Sequence, residues 1–233
     1  RRATAWLVLV GWGGGGRCVG ARAVVQVGGL RSLRVDRGRL YNKFVGETER
    51  NLRRAIVSAE HAAPVVLWVD EFEKAFSTDS GTEDSGLSTR VLGSFLSWLQ
   101  DRKQQVFLVA TANEVQRLPP ELIRKGRFDE VFFVDLPGLE QRRAIFDIHL
   151  RRRKVSLPAT EVADLAARTD GFSGAEIEQV LVAGQYTAFA ADAALSTVIL
   201  QAEIGATRPL SATMDSRFAA LRQWAKGRAV MAG

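Results

Sequence analysis

Short apolar segments recur through the first 138 residues of the chain and are separated by turn residues. Apolar runs of this length are typical of strands that are covered on both faces in a parallel sheet. The clearest example holds five apolar residues in succession, VVLWV. The pattern predicts about five strands, at Ala5–Val10, Leu30–Val35, Val65–Val69, Val106–Ala110 and Val131–Val134.

Segments with the spacing of a helix lie between these strands. In Glu47–His61, the residues Leu52, Ile56 and Ala59 fall on one side of a helix. Further helices are predicted at Val19–Val27, at Leu87–Leu99 and after Pro119. Strands that alternate with helices indicate an α/β fold, in which a parallel sheet is sandwiched by helices.

The strand signals stop after Gly138, and helical segments take their place. Four helices are predicted there, at Glu140–Arg153, Thr160–Arg168, Ser173–Asp192 and Ser211–Arg228. We therefore expect an α/β domain at residues 1–138 and a helical domain at residues 139–233.

The composition is that of an ordinary globular protein, with 46% hydrophobic and 25% charged residues. The single cysteine, Cys18, excludes an internal disulfide. Residues 1–39 hold eight arginines and one aspartate, so the net charge of +6 comes from this segment alone. The charge therefore does not indicate a general nucleic-acid-binding surface.

The start of the chain has some features of a signal peptide, because Arg1 and Arg2 precede the apolar run Trp6–Val10. That run is too short to span a membrane. There is also no initiator Met. We expect the chain to begin inside a longer protein rather than to carry an export signal.

Two carboxylates directly follow the most apolar predicted strand. Asp70 and Glu71 would lie at the carboxyl edge of the sheet, where ligands bind in open α/β folds. Asp70 would hold Mg²⁺, directly or through water, and Glu71 would polarise an attacking water. Asn113 ends the next strand, where its amide could orient a water. The alternative interpretation is an acidic turn after a strand and a plain turn asparagine.

Arg124 and Arg127 lie three residues apart beside a glycine, in a predicted surface turn. They could simply form a solvated charged surface. In the functional interpretation they reach across a subunit interface to a neighbour's phosphate. Arginine suits that role because its charge is permanent and its planar fork matches phosphate oxygens.

Taken together, these segments resemble the AAA ATPase family in order and spacing. The segments concerned are Val65–Phe72, Ala110–Asn113, Leu118–Asp135 and Asp170–Ile177. A narrower resemblance, to the uncharacterised AAA ATPases of cyanobacteria and plastids, rests on Leu40–Arg53, Asp70–Phe76 and Arg208–Met214. The resemblance implies an α/β P-loop NTPase domain followed by a small helical lid.

The resemblance also implies roles for the residues of the sheet edge and the turn after it. Asp70 and Glu71 match the Walker B motif, with Glu71 as the catalytic acid. Asn113 matches sensor 1. Arg124 and Arg127 match the arginines that act on the nucleotide of the neighbouring subunit.

Further roles follow from the resemblance in the helical domain. His149 matches a residue that lies beside the adenosine. Gly174 and Ala175 match the sensor-2 segment, where a small residue replaces the arginine of other branches. Ala175 is therefore expected to contact nucleotide through its backbone alone.

The segment Phe44, Val45 and Gly46 matches the aromatic pore loop of the family. In a hexameric ring, such a loop grips an extended polypeptide in the central channel. An aromatic residue followed by valine and glycine could otherwise be a buried strand end.

The phosphate-binding loop departs from the Walker A pattern. Its place is taken by GWGGGGRC, which runs from Gly11 through Gly16, Arg17 and Cys18. The glycine spacing is kept, but Arg17 replaces the lysine and Cys18 replaces the hydroxyl residue that binds Mg²⁺. Arginine is bulkier than lysine, and a thiol is a poor ligand for Mg²⁺.

Three explanations of this loop stay open. The protein is a degenerate ATPase that binds weakly, a pseudo-ATPase that serves as a scaffold, or a chain whose residues 1–39 are translated from a shifted reading frame. The all-arginine basic excess of that segment favours the last explanation.

The expected function is ATP binding and hydrolysis, with Mg²⁺, by a hexameric ring that remodels an unknown protein partner. The alternative is a nucleotide-binding scaffold subunit that does not hydrolyse ATP. A nucleic-acid motor ranks lower, because no basic stripe with interleaved aromatic residues follows residue 40. The expected location is the bacterial cytoplasm or the plastid stroma.

Overall fold

The computed structural model describes residues 6–11, 29–35, 47–75, 92–99, 104–123 and 128–232. These residues divide into two compact units. One comprises residues 6–134 together with 225–232, and the other comprises residues 135–224. Each unit has its own secondary structure and its own core.

A six-stranded parallel sheet forms the centre of the first unit, with the strand order β2-β3-β4-β1-β5-β6. The strands are β1 (Trp6–Gly11), β2 (Arg31–Val35), β3 (Val65–Val69), β4 (Val106–Ala112), β5 (Glu130–Val134) and β6 (Val230–Met231). The predicted α/β fold with a parallel sheet is confirmed.

The interior strands of this sheet are apolar except for Thr111, which explains why they appear in the sequence as apolar runs. All five residues of β3 are buried. On one face, Leu9, Val66, Trp68 and Val109 form a single hydrophobic cluster. A strand that is buried on both faces must carry apolar side chains at every position, and β3 does so.

Three α-helical segments of this unit are described, together with two short 3-10 helices at Phe72–Ala75 and Val115–Arg117. The α-helical segments are α1 (Glu47–His61), α2 (residues 92–99) and α3 (Pro120–Ile123). Leu52, Ile56 and Ala59 are buried on one side of α1, as the periodicity predicts. Trp98 of α2 donates a hydrogen bond from its indole nitrogen to Glu60 at 2.8 Å.

The second unit is helical. Its helices are α4 (Leu139–Arg152), α5 (Ala159–Arg168), α6 (Gly174–Ala190), α7 (Thr197–Ala206), α8 (Leu210–Thr213) and α9 (Asp215–Ala225). Its core joins α4, α5, α6 and α7 through residues such as Phe146, Leu165, Ile177 and Leu200, each 0% exposed.

The structure differs from the sequence prediction at three elements. The predicted helix Ser211–Arg228 is two helices, α8 and α9, which meet at Met214. Helix α7 was not predicted, because its apolar residues do not lie along one face of the helix. Strand β6 was not predicted either, since two residues are too short to show a period.

Strand β6 also bears on the expected domain boundaries. It pairs with β5 through Val230 and Met231, so the end of the described chain belongs with the sheet and not with the helices. The division into folding domains at residue 138 stays a prediction, because compactness alone does not establish independent folding.

Candidate functional site

The polar residues predicted for the site lie at the carboxyl ends of three neighbouring strands, β3, β4 and β1. Strand β3 lies between β2 and β4, and β4 lies beside β1. The register aligns Val69 with Ala110 and Val10 with Ala112. Asp70 follows β3, and Asn113 follows β4 close to the point where β1 ends at Gly11.

Asp70 is held from both sides by residues of the adjacent strands. Thr111 of β4, which is fully buried, donates its hydroxyl proton to Oδ1 of Asp70 at 2.5 Å. Arg34 of β2 donates to Oδ2 at 2.9 Å. The backbone N–H of Asp70 donates to Val35 at 3.2 Å. The Asp70 carboxylate is therefore fixed in position before any ligand arrives.

Glu71 adopts a left-handed backbone conformation, with φ at 52°. Such a conformation is costly for a residue other than glycine and is concentrated at functional sites. The hydroxyl oxygen of Thr111 accepts the backbone N–H of Glu71 at 3.3 Å. Thr111 thus supports both acidic residues of the edge.

The Glu71 carboxylate lies between two side chains. Asn113 donates from Nδ2 to Oε1 at 3.4 Å, and the Nζ of Lys74 lies 2.8 Å from Oε2. Asn113 is itself anchored, because its backbone N–H donates to the buried Glu73 at 3.1 Å. The pair of Glu71 and Asn113 can hold one water between a carboxylate and an amide.

The residues of this edge fit a magnesium ion that is bound together with phosphates. Mg²⁺ in such sites takes one or two carboxylates and completes its shell with water and phosphate oxygens. Asp70 offers one carboxylate. Within the described ranges, no three His, Cys, Asp or Glu side chains converge to hold an ion. A dedicated protein cage is therefore not built from these residues.

Gly11 is required by the sheet itself. A Cβ atom at this position would lie 2.3 Å from the carbonyl oxygen of Val134, its partner on β5. No rotamer change can relieve a clash with backbone. A glycine at the end of β1 is therefore explained by packing, in addition to any contact with phosphate.

In the helical unit, Gly174 and Ala175 begin α6. Ser173 caps this helix by accepting the backbone N–H of Glu176 at 3.3 Å, and the Glu176 carboxylate accepts the backbone N–H of Ser173 at 2.8 Å. This capping box fixes the first turn. The remaining N–H groups of the turn give it a partial positive charge.

His149 of α4 is enclosed by charged neighbours of the same unit. Its side chain is 13% exposed, and Nδ1 lies 3.4 Å from Glu178 and 3.2 Å from Arg153. Burial lowers the pKa of His149 below its ordinary value of 6.5. Glu178 opposes this shift, whereas Arg153 and Arg152 add to it. With its pKa below 6.5, the imidazole is predominantly neutral at pH 7.

The lowered pKa of His149 predicts a loss of stability in acid. The unfolded chain binds the proton at a higher pH than the folded chain, so stability falls as the pH drops below about 6.5. His149→Gln should reduce the fall in melting temperature between about pH 7.5 and pH 5.5. His61→Gln, at the exposed second histidine, is the control and should keep the parent's fall. Equal falls in all three proteins would contradict this account.

Comparison with known protein families assigns the part of the chain that contains this sheet to a family. The model of the ATPase family associated with various cellular activities (AAA) matches residues 7–136. The chain belongs to the AAA family. The resemblance that the sequence motifs indicated is thereby confirmed.

The relatives of this AAA chain agree with that assignment. The AAA domain-containing protein ycf46 of Pyropia yezoensis is 43% identical over 220 residues, which cover 94% of this chain and 45% of that protein. The proteasome-activating nucleotidase of Aeropyrum pernix is 32% identical over 215 residues, covering 91% of this chain and 52% of that protein. The chain thus spans about half the length of the curated relatives it matches.

Solved structures agree on the fold. The crystal structure of the FIGL-1 AAA domain superposes with a TM-score of 0.81 at 21% sequence identity, covering 97% of this chain and 78% of that chain. No helix in the described part of this AAA chain is long and apolar enough to cross a membrane.

Several predicted site residues lie outside the described part of the chain. They are Gly16, Arg17 and Cys18 of the phosphate loop, Phe44, Val45 and Gly46 of the pore segment, and Arg124 and Arg127. Their roles stay predictions. The structure brings Asp70, Glu71 and Asn113 together within one unit, and it holds His149, Gly174 and Ala175 within the other.

The sequence analysis did not identify three residues of the sheet edge, namely Thr111, Arg34 and Lys74. Thr111 is a polar residue inside an otherwise apolar strand, and this irregularity could have identified it. Arg34 lies in β2 and Lys74 three residues after Glu71, among many charged residues of ordinary appearance. The strand order places Arg34 beside Asp70, and the helical turn after β3 places Lys74 beside Glu71.

Proposed function

We propose that this AAA chain binds ATP with Mg²⁺ at the carboxyl edge of its sheet and hydrolyses it. The observation that carries the proposal is the Glu71–Asn113 pair beside the fixed Asp70 carboxylate. A carboxylate and an amide that meet at this edge can orient a water for attack on a phosphate. Membership of the AAA family of ATPases supports the same reaction.

Each residue of the edge would have a separate task. Asp70 would hold the ion, and the ion would neutralise the charge that develops on the phosphate oxygens. Glu71 would accept the proton of the attacking water, and Asn113 would orient that water. Phosphates would lie over the loop that follows Gly11, whose backbone N–H groups can cradle them.

His149, Gly174 and Ala175 would contribute to nucleotide binding from the helical unit. A neutral imidazole, as the pKa of His149 indicates, can accept or donate a hydrogen bond to adenosine without adding charge. The capped first turn of α6 offers its free N–H groups, and an alanine leaves them accessible.

We further propose that the chain works in a hexameric ring on a protein partner, in the plastid stroma or the bacterial cytoplasm. Arg124 and Arg127 would complete the site of a neighbour, and Phe44, Val45 and Gly46 would contact the partner polypeptide. Support comes from the relatives of the same family, among them a nucleotidase whose name says that it activates a proteasome.

The alternative function is that of a scaffold subunit that does not hydrolyse ATP. The observation in its favour is the loop of Gly11, Gly16, Arg17 and Cys18, which lacks the lysine and the hydroxyl residue of a Walker A motif. A bulky arginine and a thiol both weaken the binding of a magnesium nucleotide.

Repair of the phosphate loop tests which function holds. Arg17→Lys combined with Cys18→Thr should increase affinity for a fluorescent ATP analogue by about tenfold or more, since each good phosphate or metal contact is worth about 1.4 kcal/mol. The measurement is an anisotropy titration in the presence of Mg²⁺.

The control for this repair is Arg22→Lys, which makes the same exchange of cations outside the loop. It should bind the analogue as the parent does. If the parent already binds as tightly as the repaired chain, the loop is not defective. If the repaired chain binds tightly and releases phosphate while the parent does neither, the parent is the scaffold subunit. If the repaired chain binds tightly and releases no phosphate, the Glu71–Asn113 pair is not catalytic.

A further inference from the structure

Arg34 occupies an unusual place for a cation at a nucleotide site. Its guanidinium donates to Oδ2 of Asp70 at 2.9 Å, the carboxylate expected to hold Mg²⁺. Thr111 already occupies Oδ1. Both oxygens of the candidate metal ligand therefore carry a donor from the chain itself.

The sheet fixes Arg34 in this position. Arg34 and Trp68 are direct partners in the β2–β3 register, so their side chains project from neighbouring strands on the same face. The guanidinium carbon lies 4.5 Å from the centre of the Trp68 ring, within the range of a cation–π interaction. Trp68 is itself buried. The arginine is held over a rigid platform and pointed at Asp70.

A magnesium ion at Asp70 would meet this positive charge. If the ion binds the carboxylate directly, it must displace the guanidinium or share the carboxylate with it. If it binds through water, the guanidinium still lies beside the same oxygens and repels the ion. In both arrangements Arg34 opposes the metal, since like charges a few ångströms apart repel each other.

We propose that Arg34 competes with Mg²⁺ for Asp70 and sets the Mg²⁺ concentration at which this site binds a magnesium nucleotide. Without metal, the arginine neutralises the charge of Asp70 and disfavours the binding of Mg²⁺ alone to its carboxylate. The ion gains the carboxylate only when nucleotide phosphates help to hold it. The inference rests on the proposed nucleotide site and adds a residue that controls its metal requirement.

Replacement of Arg34 by methionine tests the competition. Methionine keeps an unbranched stem over Trp68 and removes the charge, so the sheet should be preserved. Arg34→Met should lower the Mg²⁺ concentration that gives half-maximal binding of a fluorescent ATP analogue. We expect a decrease of about two- to fivefold, the range expected from an ion pair that is partly exposed. The titration uses the chain with Arg17→Lys and Cys18→Thr.

The matched control is Arg31→Met, which removes the same charge from the other end of β2. Arg31 pairs with Val65 and lies about 10 Å along the strand from Arg34. This variant should keep the parent's Mg²⁺ dependence, and circular dichroism melts check that both variants fold. Arg34→Gln, which also removes the charge, should shift the dependence in the same direction and replaces Arg34→Met if that variant is unfolded.

Two results would overturn the inference, and they are distinguishable. If nucleotide binds but the Mg²⁺ midpoint of both Arg34 variants is unchanged or higher, Arg34 does not compete with the ion, while the nucleotide site stands. If no variant binds nucleotide at any Mg²⁺ concentration, the proposed function fails and the competition fails with it.

Discussion

Glu71→Gln is expected to abolish ATP hydrolysis and to leave nucleotide binding intact. Glutamine has the shape of glutamate but cannot accept the proton of the attacking water. Loss of a general base slows a reaction by about 100-fold or more. Asp70 is unchanged in this variant, so the metal ligand is retained. The measurements are phosphate release and analogue binding, made in the chain with the repaired phosphate loop.

The structure makes Glu71→Gln a sharp test. The left-handed φ of residue 71 strains glutamine and glutamate alike, so the exchange adds no new backbone cost. The variant loses only the ion pair with Lys74, which is partly exposed and worth about 1 kcal/mol at most. Glu140→Gln, on the exposed first turn of α4, is the control. Equal turnover in Glu71→Gln and the parent would contradict the assignment.

Arg124→Ala is expected to inactivate a neighbouring subunit rather than its own. The variant should still bind ATP through its own loop, while hydrolysis should fall by about a thousandfold, as when an arginine finger is removed from related reactions. In the chain with the repaired phosphate loop and with Arg124 intact, the rate of hydrolysis per subunit should rise with protein concentration. Phosphate release at several concentrations, combined with analytical ultracentrifugation, provides the measurement.

A mixing experiment separates action on a neighbour from action within one subunit. Glu71→Gln and Arg124→Ala subunits are each inactive alone. In a mixed ring, an Arg124→Ala subunit keeps its own Glu71 and receives Arg124 from a Glu71→Gln neighbour. Partial activity should therefore return on mixing. If mixing restores nothing, Arg124 serves its own subunit, and a monomer with full activity would refute the ring.

The sequence predicted the centre of the fold well for a physical reason. Strand β3 is an interior strand that is buried on both faces, so its apolar run was unambiguous. The residue after a buried parallel strand must emerge at the carboxyl edge. Asp70, Glu71 and Asn113 could therefore be expected to lie close together, and Glu71 and Asn113 are in contact.

The contacts of Arg34 and Thr111 with the acidic residues could not be predicted in the same way. The contact of Arg34 with Asp70 depends on β2 lying beside β3, and that adjacency is a property of the sheet and not of either segment. Thr111 supports two residues forty positions away through one hydroxyl. Local patterns carry no information about such pairs.

Helix α7 and strand β6 were not predicted because each depends on contacts with a neighbouring element. Helix α7 packs closely against α6, where a Cβ on Gly184 would lie 2.8 Å from the Leu200 side chain. Such a helix is apolar on several sides and shows no single apolar face. Strand β6 depends on its pairing with β5 for its conformation. Both elements are defined by their neighbours more than by their own residues.

The left-handed backbone of Glu71 has a consequence for how this chain would evolve. Glycine would relieve a strain of about 1 kcal/mol at that position, and asparagine would relieve part of it. Selection for thermal stability alone would therefore replace the glutamate early in a lineage that no longer needed hydrolysis. A scaffold that descended from a hydrolysing ancestor should show that replacement, and this chain carries the glutamate. The identity of residue 71 therefore indicates whether ATP hydrolysis is under selection in a lineage.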